Sequence, residues 1–246
     1  MKNKEDIFIN YLKNKLIGDD GAYIKGYVYS TDSFFENVHF KKDWMSYFQI
    51  ARKSMLINIS DAIVMNAKAK YALINCALPK YMSNKDLKNL AKGFKKTAKQ
   101  YGIKIIGGDT IENDKLDISV SIISKTKKPI YRSGINKDDL LVYTGNIGTV
   151  NKDLKRLQEN KSILKKSKFI KPILKDKFFY KISKFVNASI DISDGLYAEL
   201  ERLSKINNIG FKFIKNISKQ DACSGEEYEI LFACSPKHKD KLLKIA

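Results

Sequence analysis

Two long helical repeats separated by short β-branched runs constrain this chain more than any other feature. Asn84 to Tyr101 carries Leu87, Leu90, Ala91, Phe94 and Ala98 at helical spacing, with Ser83 placed to cap its start and Gly102 to end it. Gln49 to Lys68 reads as a second helix, with Ile50, Leu56, Ile57, Ile63 and Val64 as apolar surface. Strand patterns surround them: Tyr23–Ser30, Tyr71–Leu78 closed by Pro79, Ile103–Ile106 and Leu116–Ser124. Further strands are expected at Leu140–Thr144, Ser189–Ile192, Phe211–Ile217 and Tyr228–Cys234, with helices after Gly148 and over Leu196–Lys205. This order gives an α/β or α+β fold. The polar, turn-rich Pro129–Asp139 stretch is the expected boundary, dividing the chain into 1–134 and 135–246. Neither the lysine-bearing phosphate loop of ordinary P-loop enzymes nor a dinucleotide fingerprint is present.

A formal charge of +19 first suggests nucleic acid, yet only four of the 46 basic residues are arginine (Arg52, Arg132, Arg156, Arg202). Arginine is the residue suited to bidentate phosphate and base-edge contacts, and the lysines are spread along the chain. No nucleic-acid partner is expected; the field instead favours small anionic substrates. No apolar run approaches the roughly 20 residues of a membrane span, and Ile7-Phe8-Ile9 is too short for a signal peptide. Three cysteines, Cys76, Cys223 and Cys234, lack metal-ligand spacing and are expected to be buried thiols, so a cytoplasmic location is expected.

The scarce acids fall in a recurring pattern of strand, small residues and aspartate. Asp19 and Asp20 precede a strand in Gly18-Asp19-Asp20-Gly21, and Asp32 follows Ser30-Thr31. Asp61 interrupts an apolar helix segment, Asp109 follows Gly107-Gly108, and Asp191 and Asp194 flank Ile192-Ser193 before Gly195. Any one of these could be a turn former. As a converging set they would repel one another unless neutralised, and magnesium, with its hard oxygen ligands and affinity for phosphates, fits that task. Gly107-Gly108 and Gly145 with Gly148 are candidates to present backbone N–H groups to an anion, and Arg132 is a candidate phosphate clamp. His39 and His238 form no zinc or triad pattern. Trp44 is expected to pack in the core or to offer a ring platform.

Gly18-Asp19-Asp20-Gly21, Thr31-Asp32 through Glu36-Asn37-Val38-His39-Phe40, Asn58-Ile59-Ser60-Asp61, Gly107-Gly108-Asp109-Thr110, Arg132-Ser133-Gly134 and Asp191-Ile192-Ser193-Asp194-Gly195-Leu196 together resemble thiamine-monophosphate kinase in order and spacing. That family belongs with aminoimidazole-ribonucleotide synthetase and selenophosphate synthetase. The resemblance implies a two-domain fold of that superfamily, with residues 1–134 as an ATP- and magnesium-binding domain that forms a homodimer through its sheet. It implies ATP and Mg2+ as cofactors and phosphoryl transfer from ATP to thiamine monophosphate, giving thiamine diphosphate. By the same resemblance Thr31, Asp19, Asp32, Asp61, Asp109, Asp191 and Asp194 would hold metal. Asp109, Asp194 and Arg132 would act in transfer, Gly107, Gly108, Arg132, Gly145 and Ser193 would bind nucleotide, and His39 and Asp20 would meet substrate. The late motif departs from the family's Gly-Gly-Glu-Asp-Tyr-Glu, reading Ser224-Gly225-Glu226-Glu227-Tyr228-Glu229, and the C-terminal part is shorter than usual. An aminoimidazole-ribonucleotide-synthetase-like ligase and a non-catalytic nucleotide- or metal-binding relative are the alternatives.

Overall fold

The computed structural model describes residues 4–246, apart from the side chain of Asp6. Helix α1 spans Lys4–Leu12. The first sheet then begins with β1 (Ala22–Ile24) and β2 (Tyr27–Phe35), paired antiparallel with Ile24 opposite Tyr27. The stretch around Gly26 expected to be one strand is therefore a hairpin. Lys25 at φ 45° and Gly26 at φ 89° make the two-residue turn, whose positive φ angles give it a twist that matches the right-handed twist of the flanking strands.

Helix α2 spans Tyr47–Val64. It starts two residues earlier than expected because Ser46 and Gln49 form a capping box. It ends before Lys68 because Asn66 adopts φ 54°, which turns the chain into β3 (Lys68–Pro79). Helix α3 (Asn84–Tyr101) follows, capped by Ser83 and closed by Gly102 at φ 66°. Strands β4 (Lys104–Gly107) and β5 (Thr110–Asn113) both pair parallel to β3, along its first and second halves. β6 (Asp117–Lys125) is antiparallel to β2 and β3, giving the order β1-β2-β6-β3-β4 with β5 beside β3. Val120 stands between Asp32 and Ile74 in this register.

One face of the sheet is core. Val28, Phe34, Ala72, Ile118, Val120 and Ile122 are at most 1% exposed and lie beneath α2. The other face carries Tyr29, Thr31, Ser33, Tyr71, Leu73, Ser119 and Ser121 and is largely open in the single chain.

The second sheet has the order β7-β9-β8, antiparallel throughout: β7 (Leu140–Tyr143), β8 (Val186–Asp191) and β9 (Ile230–Cys234). Helices α4 (Thr149–Gln158), α5 (Asp176–Ile182), α6 (Leu196–Asn207), α7 (Lys219–Ala222) and α8 (Lys239–Ile245) surround it. Phe211–Ile217 is an irregular surface segment, with Phe213 and Ile214 exposed, not the strand its alternation suggests.

α2 joins the two sheets. It is apolar around its circumference, as a helix enclosed by protein must be, and packs on β2, β6 and β8. Cys76 is half-buried and Cys234 buried, but Cys223 is exposed, against the expectation of a buried thiol. Among the described residues no helix is long and apolar enough to cross a membrane.

Candidate functional site: an acidic cluster beside an aromatic cavity

The site lies where the loop before β1, the C-terminal half of α2 and the end of β8 meet. Each supplies one carboxylate. Oxygens of Asp20, Asp61 and Asp191 all lie within 4.8 Å of one another. Asp191 is fixed by Ser60 Oγ, which donates to its Oδ2 at 2.6 Å. Asp20 is fixed by Arg132, whose Nη2 donates to Oδ1 at 2.6 Å, while the Arg132 backbone N–H donates to Asp19 Oδ1 at 2.6 Å. Asn207 of α6 holds the arginine segment by donating to Arg132 O and accepting from the Gly134 N–H.

The electrostatics call for a cation. Burial, then the neighbouring Asp32, Asp191 and Asp20, push the Asp61 carboxyl well above its ordinary range. Burial and then Asp20 do the same to Asp191, only partly offset by the Ser60 hydrogen bond. Asp32 is pushed up to about 6 by burial and by Asp20, against a hydrogen bond with Asp61. Asp19 is raised by burial, against the Arg132 N–H bond. Burial alone would lower the Arg132 pKa, but the acidic neighbours, Asp20 first and then Asp191 and Glu199, together outweigh it and raise the pKa above its ordinary value. Buried Asp20 Oδ2 and Arg132 Nε have no partner among the described residues. An orphaned acceptor inside mutually repelling carboxylates fits a hard divalent cation, and an orphaned guanidinium donor beside it fits an anionic oxygen. Asp20, Asp61 and Asp191 are placed so that they could hold such an ion, with Asp19 and Asp32 at the edge of the group.

The other expected residues are distributed around this centre. Thr31 lies on the opposite, open face, where its hydroxyl donates to Val120 O at 3.3 Å and accepts from Ser121 at 3.0 Å. Asp109 is exposed at the β4–β5 junction. It accepts from Thr110 N–H, its own N–H donates to Asn75 Oδ1, and its carbonyl accepts from Cys76 N–H. It lies three strands from Asp32, roughly 14 Å across the ladder. Gly107 and Gly108 form this junction, and at Gly108 a Cβ would stand 1.7 Å from Ile74 O. Asp194 is exposed and pairs with Arg202 Nη2 at 3.1 Å, while its N–H and the Ser193 hydroxyl donate to buried Glu199. At Gly145 a Cβ would stand 2.3 Å from Glu229 Oε1, so this glycine makes room for a buried carboxylate held by Lys168 and Thr144.

Beside the cluster is a cavity of about 520 Å3 lined by Val38, His39, Phe40, Trp44, Phe169 and Glu226, among others. His39 Nδ1 accepts from Phe35 N–H, which fixes its ring, and Trp44 meets Phe169 edge-on at 5.8 Å. The cavity adjoins the turn that follows β8 and Asp191, because Glu226 N–H donates to Ser193 O at 2.6 Å and a Cβ on Gly225 would touch the same oxygen. Tyr228 is buried between them, its phenol pushed well up by burial and then by Glu226, Asp32, Asp191 and Asp61.

Sequence reasoning did not assign Ser60, Lys53, Glu199, Glu226 or Tyr228 to the site. The readable signal was the set of polar residues Lys53, Asn58 and Ser60 inside the apolar run of α2, each fully or almost fully buried.

The family model described as AIR synthase related protein, N-terminal domain, matches residues 18–126. The chain is 31% identical to the thiamine-monophosphate kinase of Nitrosopumilus maritimus (strain SCM1), over 100% of this chain and 81% of that protein. It is also 31% identical to that of Buchnera aphidicola subsp. Acyrthosiphon pisum, over 95% and 80%. The structure of AaThiL complexed with AMPPCP and TMP superposes with a TM-score of 0.85 at 25% identity, covering 96% of this chain and 88% of that one. Identity near a third along almost the whole chain, with the same fold, shows that this protein belongs to the thiamine-monophosphate kinase family within the AIR-synthase-related superfamily.

Proposed function

We propose that this member of an ATP-dependent phosphotransferase family transfers the γ-phosphoryl group of ATP to the phosphate of thiamine monophosphate. The observation that carries the reading is the cluster of Asp20, Asp61 and Asp191 with Arg132, lying beside an aromatic cavity with a carboxylate on its wall. An oxygen of the acceptor phosphate attacks the γ-phosphorus in line, and the bond from that phosphorus to the ADP oxygen breaks. The acceptor oxygen is already anionic near neutral pH, so no general base is required, and positioning with charge neutralisation supplies the catalysis. Magnesium bound by the aspartates would offset repulsion between the two anionic reactants. Arg132 holds a phosphate oxygen through its orphaned donor, and Asp19 fixes the arginine's backbone. His39, Phe40, Trp44 and Phe169 supply a platform for the thiamine rings, and Glu226 supplies an acceptor on the cavity wall.

We assign residues 1–134 and 135–246 to two domains, each built on one of the sheets. The open face bearing Tyr29, Tyr71 and Leu73 suits burial against a second copy, and we propose a homodimer formed there. Thr31 lies on that face and Gly107, Gly108 and Asp109 lie at the exposed β4–β5 junction, and all four are proposed to meet nucleotide or metal at the dimer interface. Asp194 and Ser193 are proposed to serve the metal and nucleotide from the β8–α6 turn. Free thiols at Cys76, Cys223 and Cys234 suit a reducing compartment, and we place the protein in the cytoplasm.

The test is ADP release by the purified protein with ATP, magnesium and a panel of phosphorylated acceptors. Turnover with thiamine monophosphate is expected, and robust turnover only with another acceptor sinks the assignment. Sedimentation equilibrium is expected to show a dimer; a monomer across micromolar concentrations rejects the interface.

A further inference from the structure

One charged side chain has no part in the mechanism above. Lys53 lies in α2 with 0% exposure, in a helix whose buried side chains are mostly apolar. Its ammonium has one hydrogen-bond partner among the described residues, Glu226 Oε2 at 3.0 Å. Two rings hold it in place, Phe169 with its centroid at 4.2 Å and Phe34 at 5.5 Å. Burial lowers its pKa, and Glu226 opposes that shift. A buried ion pair is a poor source of stability, and a methionine of similar length would suit an apolar helix interior as well. The pair is therefore better explained by what it does to Glu226.

Glu226 is held at both ends. Its backbone sits at φ 55°, tied through its N–H to Ser193 O, and its carboxylate tip is tied to Lys53. The side chain is 24% exposed on the wall of the cavity. Oε1 takes no hydrogen bond from another described residue, so one acceptor oxygen is free for a ligand.

We propose that Lys53 is a positioning residue that sets the ring specificity of the cavity. It holds the Glu226 carboxylate in place on the cavity wall, so that the cavity accepts a flat heteroaromatic ring bearing an N–H donor and rejects one bearing a carbonyl at the same position. The proposal rests on the thiamine reading of the cavity. An ionised acceptor gains a hydrogen bond from an amino group and is left facing a lone pair when a carbonyl replaces it.

The experiment compares thiamine monophosphate with oxythiamine monophosphate, in which a ring carbonyl replaces the amino group. Trp44, the one tryptophan of the chain, lines the cavity and reports binding by fluorescence without turnover. The unsubstituted protein is expected to bind the amino form at least about tenfold more tightly. Lys53→Met is expected to reduce that preference to within about threefold. It should raise KM for thiamine monophosphate about tenfold while leaving kcat within about threefold and KM for ATP unchanged. Glu226→Gln, whose amide can donate to a carbonyl, is expected to erase or invert the preference. A role confined to packing would lower the melting temperature of Lys53→Met and leave the preference intact, and that result overturns the proposal. If Lys53→Met does not fold, Glu226→Gln decides: an unchanged preference overturns it equally. Failure of the unsubstituted protein to bind either ligand removes the thiamine reading and this inference together. Normal turnover with an unchanged preference in both variants removes the Lys53 inference alone.

Discussion

Replacing Asp61 by Asn separates a metal ligand from a structural acid, because the two roles move stability in opposite directions. The Asp61 oxygen lies within 4.8 Å of oxygens on both Asp20 and Asp191. At an effective dielectric constant of about 20, two unit charges at that distance repel by roughly 3.5 kcal/mol. Removing the Asp61 charge from metal-free protein should therefore stabilise the fold by about 1–3 kcal/mol, an increase of about 3–10 °C in Tm for a chain of this size. The parent protein should gain about 2.7 kcal/mol from magnesium at roughly a hundred times its Kd, and Asp61→Asn should lose most of that gain. The assay is thermal unfolding in chelator and across a magnesium titration, with turnover measured in parallel and expected to fall at least about a hundredfold. A variant that melts lower in chelator yet keeps the full magnesium increment would refute the metal-site reasoning.

Asp32 gives a pH dependence of defined sign. Its folded pKa of about 6 lies above the ordinary 3.8, so the folded state binds the proton more tightly, and stability of metal-free protein falls as pH rises from about 4 through about 6, by up to about 3 kcal/mol. The increment from magnesium should grow over the same window, and melting curves from pH 4 to 8 check both. Gly108→Ala forces a Cβ to within 1.7 Å of Ile74 O and should cost at least about 3 kcal/mol, whereas Gly102→Ala, with open space at φ 66°, should cost about 1 kcal/mol; chemical denaturation distinguishes them. Asp109→Asn keeps a turn acceptor for the Thr110 N–H, so Tm should move little while turnover falls at least about tenfold; near-parental turnover at every magnesium concentration removes Asp109 from the site.

The elements with local signals were legible in the sequence. Ser83 and Gly102 bounded α3 because a side-chain cap and a left-handed glycine act within one turn. The aspartates stood out because a basic chain had placed them repeatedly at strand ends. The errors arose where a local pattern met a longer-range constraint. Lys25-Gly26 broke an apparent strand into a hairpin, and Asn66 ended α2 before its apolar pattern did. Phe211–Ile217 alternates correctly but has no neighbouring strand to pair with among the described residues. Convergence was not legible at all. That Asp20, Asp61 and Asp191 meet, while Asp109 stands three strands from Asp32 and Asp194 turns to Arg202, depends on tertiary placement that residue type and spacing do not encode.

Three hydrogen bonds that tie α2 to the second half of the chain share one side of the helix. Lys53 reaches Glu226, Ser60 reaches Asp191 seven residues later, and Val64 O accepts from Ser189 four residues beyond that. Offsets of seven and eleven are near whole numbers of turns at 3.6 residues each. The helix therefore fixes an angular phase between cavity and acidic cluster. Inserting or deleting one residue between Lys53 and Ser60 would rotate everything beyond it by about 100°, carrying Ser60 and Asp61 off their partners even if the helix itself survived. Length changes in this stretch would keep the phase only in near-whole turns, whereas the irregular segment over Phe211–Ile217 has no such periodicity to preserve.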